Sequence, residues 1–154
     1  MILTVGLLVG MVCLTLQALS SMLAARYFRY RVQHPLGGNP ALLVFMQFSV
    51  LMVLLMLGNV LQILIWALLY RAMGAFPDLE TAAYFSGVTF TTLGYGDLTL
   101  PKRLRLVGVL QAANGVMMFG MTTSVFVAAV QHAVAERLAD QALKETTASP
   151  GSPA

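Results

Sequence analysis

Three long runs without Asp, Glu, Lys or Arg divide the chain and limit what it can fold into. They are Met1–Ala25, Val32–Tyr70 and Leu106–Ala135. Each is longer than the roughly 20 apolar residues that a helix needs to cross a hydrocarbon core of about 30 Å. Charged residues make up only 10% of the chain, whereas a soluble domain carries about a quarter. The sequence therefore predicts a helical membrane protein and argues against an ordinary soluble enzyme.

The first run is interpreted as a retained helix over about residues 2–25. It has no basic segment at its start, and its apolar length exceeds the roughly 7–15 residues of a cleaved signal. The connection that follows, residues 26–40, begins with the arginines and aromatic residues of Arg26–Arg31 and continues with turn formers. It is predicted to be an interfacial hinge on the cytoplasmic side. Arg26 and Arg29 have the spacing of a voltage sensor, but a sensor needs several arginines within the span itself. Residues 1–31 are therefore predicted to form an additional N-terminal transmembrane helix followed by an interfacial basic segment, with Arg26 and Arg29 as a positive-inside anchor.

The connection between the second and third spans, residues 71–103, is too long for a turn. Pro77, Asp78 and Glu80 mark a helix start, because proline suits the first turn and acids suit the positive end of the helix dipole. The helix that follows has about 13 residues, or about 20 Å, which is too short to span a bilayer. We expect a re-entrant loop, which membranes tolerate only where protein or water shields its backbone.

A glycine-containing segment follows this short helix and reads Thr-Thr-Leu-Gly-Tyr-Gly-Asp over residues 91–97. Gly94 and Gly96 can take a positive φ without steric cost. An extended strand can then alternate in handedness and point successive carbonyls to the same side. Four copies around an axis would stack these carbonyls into rings that replace the hydration shell of a cation, as in known channel filters.

This segment resembles the signature of potassium channels, and residues 41–135 resemble their outer helix, pore helix, filter and inner helix. The resemblance implies an all-α membrane protein with the homotetrameric potassium-channel fold: three transmembrane helices plus a re-entrant pore helix and a selectivity-filter loop. It places Asp97 at the extracellular mouth. It also implies that the filter oxygens, which bind K⁺, come from Thr92, Leu93, Gly94, Tyr95 and Gly96.

Two positions depart from the family pattern. Leu93 stands where the family more often has Val or Ile, so we expect altered packing with selectivity kept. Val88 stands behind the filter where some relatives have a glutamate, so filter-based inactivation is expected to differ. Tyr84 and Phe85 match aromatic positions that support the filter beside Tyr95, with ordinary membrane packing as the alternative.

The third span contains Gly115 and Gly120, in a stretch that resembles the family's gating region. Aligning these glycines with the family's gating glycine requires one residue fewer between the filter and the inner helix than the family has. The alternative is that both glycines only permit close helix packing. Helical spacing places one face toward the predicted cavity: Val116, Phe119, Thr123, Val127 and Gln131.

Several polar side chains lie in or beside the spans. Histidine is the side chain best suited to proton sensing. His34 and His132, the latter close to Glu136, therefore suggest proton sensing, with plain solvation as the alternative. The uncharged polar residues within spans are predicted to hydrogen-bond between helices. They are Asn59, Gln62, Gln111 and Asn114.

The chain is thus divided into three segments. Residues 140–154 are rich in small and polar residues and are predicted to be a disordered tail. Before this tail come the additional helix with its basic segment, residues 1–31, and a pore domain, residues 32–139. Within the pore domain we predict an outer helix over about 41–70, a pore helix over about 78–91, a filter over 92–97 and an inner helix over about 104–135.

The predicted function is passive, selective potassium conduction by a homotetramer in a lipid bilayer, because one filter strand cannot surround an ion. The predicted location is the inner cell membrane, with several spans, the N-terminus outside and the C-terminus in the cytoplasm. No cofactor besides permeant K⁺, no nucleic acid, no small-molecule substrate and no enzymatic activity is expected, since no catalytic constellation is present. A weakly selective cation channel, against which Tyr95 argues, and a non-conducting scaffold or accessory subunit are the alternatives.

Overall fold

The part of the chain that the structure describes folds into four α-helices and a 3₁₀ turn. The computed structural model describes residues 2–33 and 40–148. Three helices contain stretches long and apolar enough to cross a membrane, whereas the third helix, with 12 residues, is too short. The predicted all-α fold with three spans is confirmed, and the described residues contain no strand. The elements are α1 (Ile2–Gln33), α2 (Pro40–Ala72), α3 (Leu79–Phe90), the turn Lys102–Leu104 and α4 (Arg105–Ala148).

Two predicted boundaries differ from the structure. Residues 26–33 of the predicted hinge, which include the basic segment Arg26–Arg31, belong to α1, and residues 34–39 of that hinge lie outside the described residues. No proline or glycine occurs in residues 26–33, so nothing interrupts the helix before Gln33. At the other end, α4 continues to Ala148, so residues 140–148 are helical rather than part of a disordered tail. This stretch contains Ala, Leu, Gln, Lys and Glu, which are strong helix formers.

α1 runs parallel to α4 and antiparallel to α2. Near its start, Gly6 faces Val107 and Leu110 of α4. Near its end, Ala24 and Phe28 pack in one cluster with Leu51, Leu55 and Ala129. The start of α1 therefore lies at the end of the bundle that carries the loop between α3 and α4, and the arginines of α1 lie at the opposite end.

A buried hydrogen-bond network joins α1, α2 and α4 midway along the bundle. Gln62 Nε2 donates to Gln17 Oε1 at 2.6 Å, and Gln17 Nε2 donates to Thr122 Oγ1 at 3.0 Å. Asn59 Nδ2 also donates to Thr122 Oγ1, at 3.4 Å. Because unpaired polar groups are costly in hydrocarbon, this network holds α1 in register with the other two helices. We call it the Gln17 network.

Replacing Gln17 with leucine leaves the buried Gln62 Nε2 without its acceptor and removes one of the two donors to Thr122 Oγ1. We expect the free energy of unfolding to fall by about 1–2 kcal/mol, measured by denaturant titration in mixed micelles. Gln131→Leu makes the same chemical change at an exposed position of α4 and is expected to leave stability unchanged. Equal stability of Gln17→Leu and the parent chain would show that the network contributes nothing.

Candidate functional site

The short helix α3 begins at a carboxylate cap. Asp78 Oδ1 accepts from the backbone N–H of Thr81 at 2.7 Å, and Asp78 Oδ2 accepts from the Thr81 hydroxyl at 2.8 Å. These hydrogen bonds favour the ionised form and hold the pKa of Asp78 below its usual value of 3.8. The capped, positive end of α3 is thus fixed at residue 78, and its negative end points toward the segment that follows.

A second buried network fixes the middle of α3 against α2 and α4. Gln111 Nε2 donates to the Ser86 hydroxyl oxygen at 2.7 Å, and Tyr70 donates to Gln111 Oε1 at 2.6 Å. Ser86 in turn donates to the carbonyl of Ile63 at 2.7 Å. The interhelical hydrogen bonds predicted for Asn59, Gln62 and Gln111 are therefore formed. Asn114 is buried without a hydrogen-bond partner in the described part of the chain.

The C-terminal end of α3 lies directly against α4 at Gly115. A Cβ built at this position would overlap the carbonyl group of Phe90. Gly120, one and a half turns further along, has nothing within 4 Å of a Cβ. The two glycines therefore differ: Gly115 permits close packing of α4 on α3, which is the alternative interpretation given above, whereas Gly120 makes no such contact.

The backbone of the predicted filter alternates in handedness. φ is 61° at Thr92, 55° at Gly94 and 79° at Gly96, whereas Leu93 and Tyr95 keep negative φ. The two glycines were expected to adopt this conformation. Thr92 was not, because a β-branched residue at positive φ is a genuine outlier and no sequence signal marks it. Such strain is typical of functional sites.

Two hydrogen bonds tie the start of this segment to α3. The N–H of Thr92 donates to the carbonyl of Thr89 at 3.1 Å, and the N–H of Gly94 donates to the carbonyl of Val88 at 3.3 Å. Beyond them the segment is exposed, with Tyr95 68% accessible. Within one chain, the backbone from Leu93 to Asp97 therefore has little cover from other residues that the structure describes.

The two aromatic residues predicted to support the filter have different partners. The Tyr84 hydroxyl donates to Asp97 Oδ2 at 2.7 Å, which raises the pKa of Tyr84 above its usual 10.0. Phe85 packs instead against the rings of Tyr70 and Phe76, with centroids 5.3 Å and 5.0 Å away. Within one chain, Tyr84 therefore holds the Asp97 end of the predicted filter, and Phe85 holds α3 against α2.

Replacing Tyr84 with phenylalanine removes the tie to Asp97 and keeps the ring. We expect faster hydrogen–deuterium exchange at the amides of Gly96 and Asp97, because the outer end of the filter loses its link to α3. In the parent chain the protection persists at neutral pH and is lost only as pH rises above 10 through the raised pKa of Tyr84. Tyr30→Phe, at the other end of the bundle, is the matched control. Unchanged exchange in Tyr84→Phe would contradict this role.

The residues predicted to line the cavity are all exposed in the single chain. They are Val116, Phe119, Thr123, Val127 and Gln131. Phe119 also packs edge-on against Phe90, with centroids 5.6 Å apart. His132 Nε2 lies 3.3 Å from Glu136 Oε1, one turn further along α4. His34 lies outside the described residues.

Comparison with known proteins gives one family. A family model described as "Ion channel" matches residues 50–132, just over half of the 154 residues. The match begins within α2, contains α3 and the predicted filter, and ends within α4. It leaves out the whole of α1. No curated protein and no solved structure matches the chain.

Proposed function

We propose that this chain, which belongs to the ion channel family, conducts potassium ions selectively and passively through a pore built from four copies. The observation that carries the proposal is the alternating backbone at Thr92, Gly94 and Gly96. In an extended segment this alternation turns successive carbonyls toward one side, and rings of such dipoles replace the hydration shell of a cation. The filter carbonyls would belong to residues 92–96.

The electrostatics around this segment favour a cation in general. The negative end of the α3 dipole points toward the space below the filter, and α3 carries its carboxylate cap at the far end. Asp97 adds a carboxylate at the outer end, positioned by Tyr84. These terms raise the local cation concentration without distinguishing potassium from sodium, so selectivity is assigned to the carbonyl rings alone.

The surfaces that are exposed in a single chain support a pore of four copies. The filter backbone and one face of α4 are both exposed, and a single filter strand cannot enclose an ion. Fourfold assembly would turn the filter strands toward one axis and let the exposed α4 residues, from Val116 to Gln131, line a cavity below them.

The membrane orientation is part of the same proposal. The start of α1 and the filter mouth lie at one end of the bundle, and Arg26 and Arg29 lie at the other. Basic residues lie at both ends, since Arg71, Arg103 and Arg105 flank the filter end. The orientation therefore rests on the resemblance to potassium channels, which puts Asp97 at the extracellular mouth. We therefore place the chain in the inner cell membrane with its N-terminus and filter mouth outside and its C-terminus in the cytoplasm.

The deciding experiment is ion flux in liposomes that contain the purified full-length chain. Potassium flux is expected to exceed sodium flux by a large factor, and crosslinking is expected to trap a tetramer. Equal rates for the two ions would identify a weakly selective cation channel. Absence of flux together with a monomer would identify a scaffold or accessory subunit.

The gate of this pore is proposed to respond to protons through His132 and its neighbour Glu136. Protonation converts their contact into an ion pair on the inner part of α4. The same flux assay at acidic and neutral pH tests this role: the parent chain should change its flux with pH, and His132→Ala should not. A flat profile in the parent chain would remove the proposal for both His132 and His34.

A further inference from the structure

A cavity of about 330 Å³ opens between α1, α2 and α4 at the end of the bundle away from the filter. Its volume lies at the lower end of the range of small-molecule sites. The walls are apolar apart from two side chains, Arg29 on α1 and His132 on α4. The apolar lining includes Phe28, Leu51, Val125 and Ala128.

The depth of this cavity follows from the geometry of α2. Arg71 is the first charged residue after the long charge-free run and marks one edge of the hydrocarbon layer. A core of about 30 Å corresponds to roughly 20 residues of helix, which reaches about residue 51. Leu51 lines the cavity. The apolar walls therefore lie at the opposite edge of the hydrocarbon layer, with Arg29 and His132 at the depth of the lipid headgroups.

The described charges at this end of the bundle favour an anion. Arg26, Arg29 and Arg137 are exposed, and Arg29 forms no ion pair with any residue that the structure describes. Among the side chains that the structure describes, Glu136 is the negative one near these three arginines. Its carboxylate Oε1 lies 3.3 Å from His132 Nε2. A guanidinium in this position, beside a slot of apolar side chains, can bind phosphate oxygens with two donors at once.

We propose that this cavity binds one anionic phospholipid, with an acyl chain against Phe28, Leu51 and Val125 and the phosphate at Arg29 beside His132. Basic pockets between membrane helices suit anionic headgroups, and the apolar walls suit a lipid tail rather than a soluble anion. One wall is formed by α1, which the ion channel family model does not include. The site is therefore a property of this chain with its additional helix, and it does not depend on potassium selectivity.

The test is lipid titration of the detergent-purified full-length chain, followed by native mass spectrometry. Dioleoyl phosphatidylglycerol is expected to bind more tightly than dioleoyl phosphatidylcholine by on the order of tenfold. Arg29→Gln should abolish this preference. Lys102→Gln makes the same charge change at the other end of the bundle and should keep it. Ala128→Leu fills the cavity but keeps Arg29, and it should weaken phosphatidylglycerol binding.

Three results would overturn the proposal. The first is unchanged lipid preference in Arg29→Gln, with helical content and assembly equal to those of the parent chain. The second is displacement of bound lipid by inorganic phosphate at equal concentration, which would identify a site for soluble anions. The third is normal lipid binding by Ala128→Leu with loss of the oligomer, which would show that a second copy of the chain covers the cavity.

Discussion

Gly96→Ala is expected to abolish potassium conduction while the chain still inserts and assembles. Gly96 has φ of 79°, a conformation that costs an L-residue with a Cβ roughly 1–2 kcal/mol. In the proposed pore this cost recurs in each of four copies. We expect the backbone to leave the left-handed region, which turns a carbonyl away from the ion path.

The measurement is potassium flux in liposomes, normalised to the amount of inserted tetramer. Gly10→Ala is the matched control, because Gly10 lies in α1 with ordinary helical φ and nothing within 4 Å of a Cβ. This control should conduct as the parent chain does. Full conduction by Gly96→Ala would contradict the alternating carbonyl arrangement.

Gly115→Ala is expected to have the largest effect on stability. Its Cβ would overlap the carbonyl of Phe90, so α4 and the end of α3 must move apart. Overpacking of this kind costs about 1–3 kcal/mol, and the displaced helix end carries the filter with it. We expect lower thermal stability together with loss of conduction.

The neighbouring glycine provides the control for that substitution. Gly120 has open space around it, so Gly120→Ala is expected to keep stability or to raise it by up to about 1 kcal/mol through helix propensity. Thermal unfolding of both variants in the same detergent is the measurement. Equal effects of the two substitutions would show that the contact between Gly115 and Phe90 does not hold α3 in place.

The spans and the short helix could be predicted because their signals are local. Charge-free runs report span length directly, and Pro77 and Asp78 mark the start of α3 within one residue of where it begins. The glycine pattern predicted two of the three left-handed residues. Thr92 could not be predicted, because its conformation depends on the hydrogen bond from its N–H to Thr89 and on the turn after α3.

The position of α1 could not be predicted for a different reason. Its run is apolar on every side, so periodicity does not show which face meets α2 and α4. Gln17 is the signal that could have found this face, since it is an uncharged polar residue within a span, as Asn59 and Gln62 are. Residues 26–40 are predicted as a hinge because the basic and aromatic residues suit the headgroup layer and turn formers follow them, but the composition of residues 26–33 does not end α1.

The hydrogen bond from Gln17 of α1 to Thr122 of α4 affects how α4 can bend. Thr122 lies two residues beyond Gly120, the glycine with free space around it. A bend of α4 at Gly120 would either break that hydrogen bond or move α1 together with the C-terminal half of α4. In the second case it would break the hydrogen bonds that these helices accept from Gln62 and Asn59 of α2. If the hydrogen bond were kept, two helices would move through the lipid instead of one. The second helix, α1, lies outside the matched channel segment. The work of such a bend would then include displacing the lipid around α1 as well as the lipid around α4.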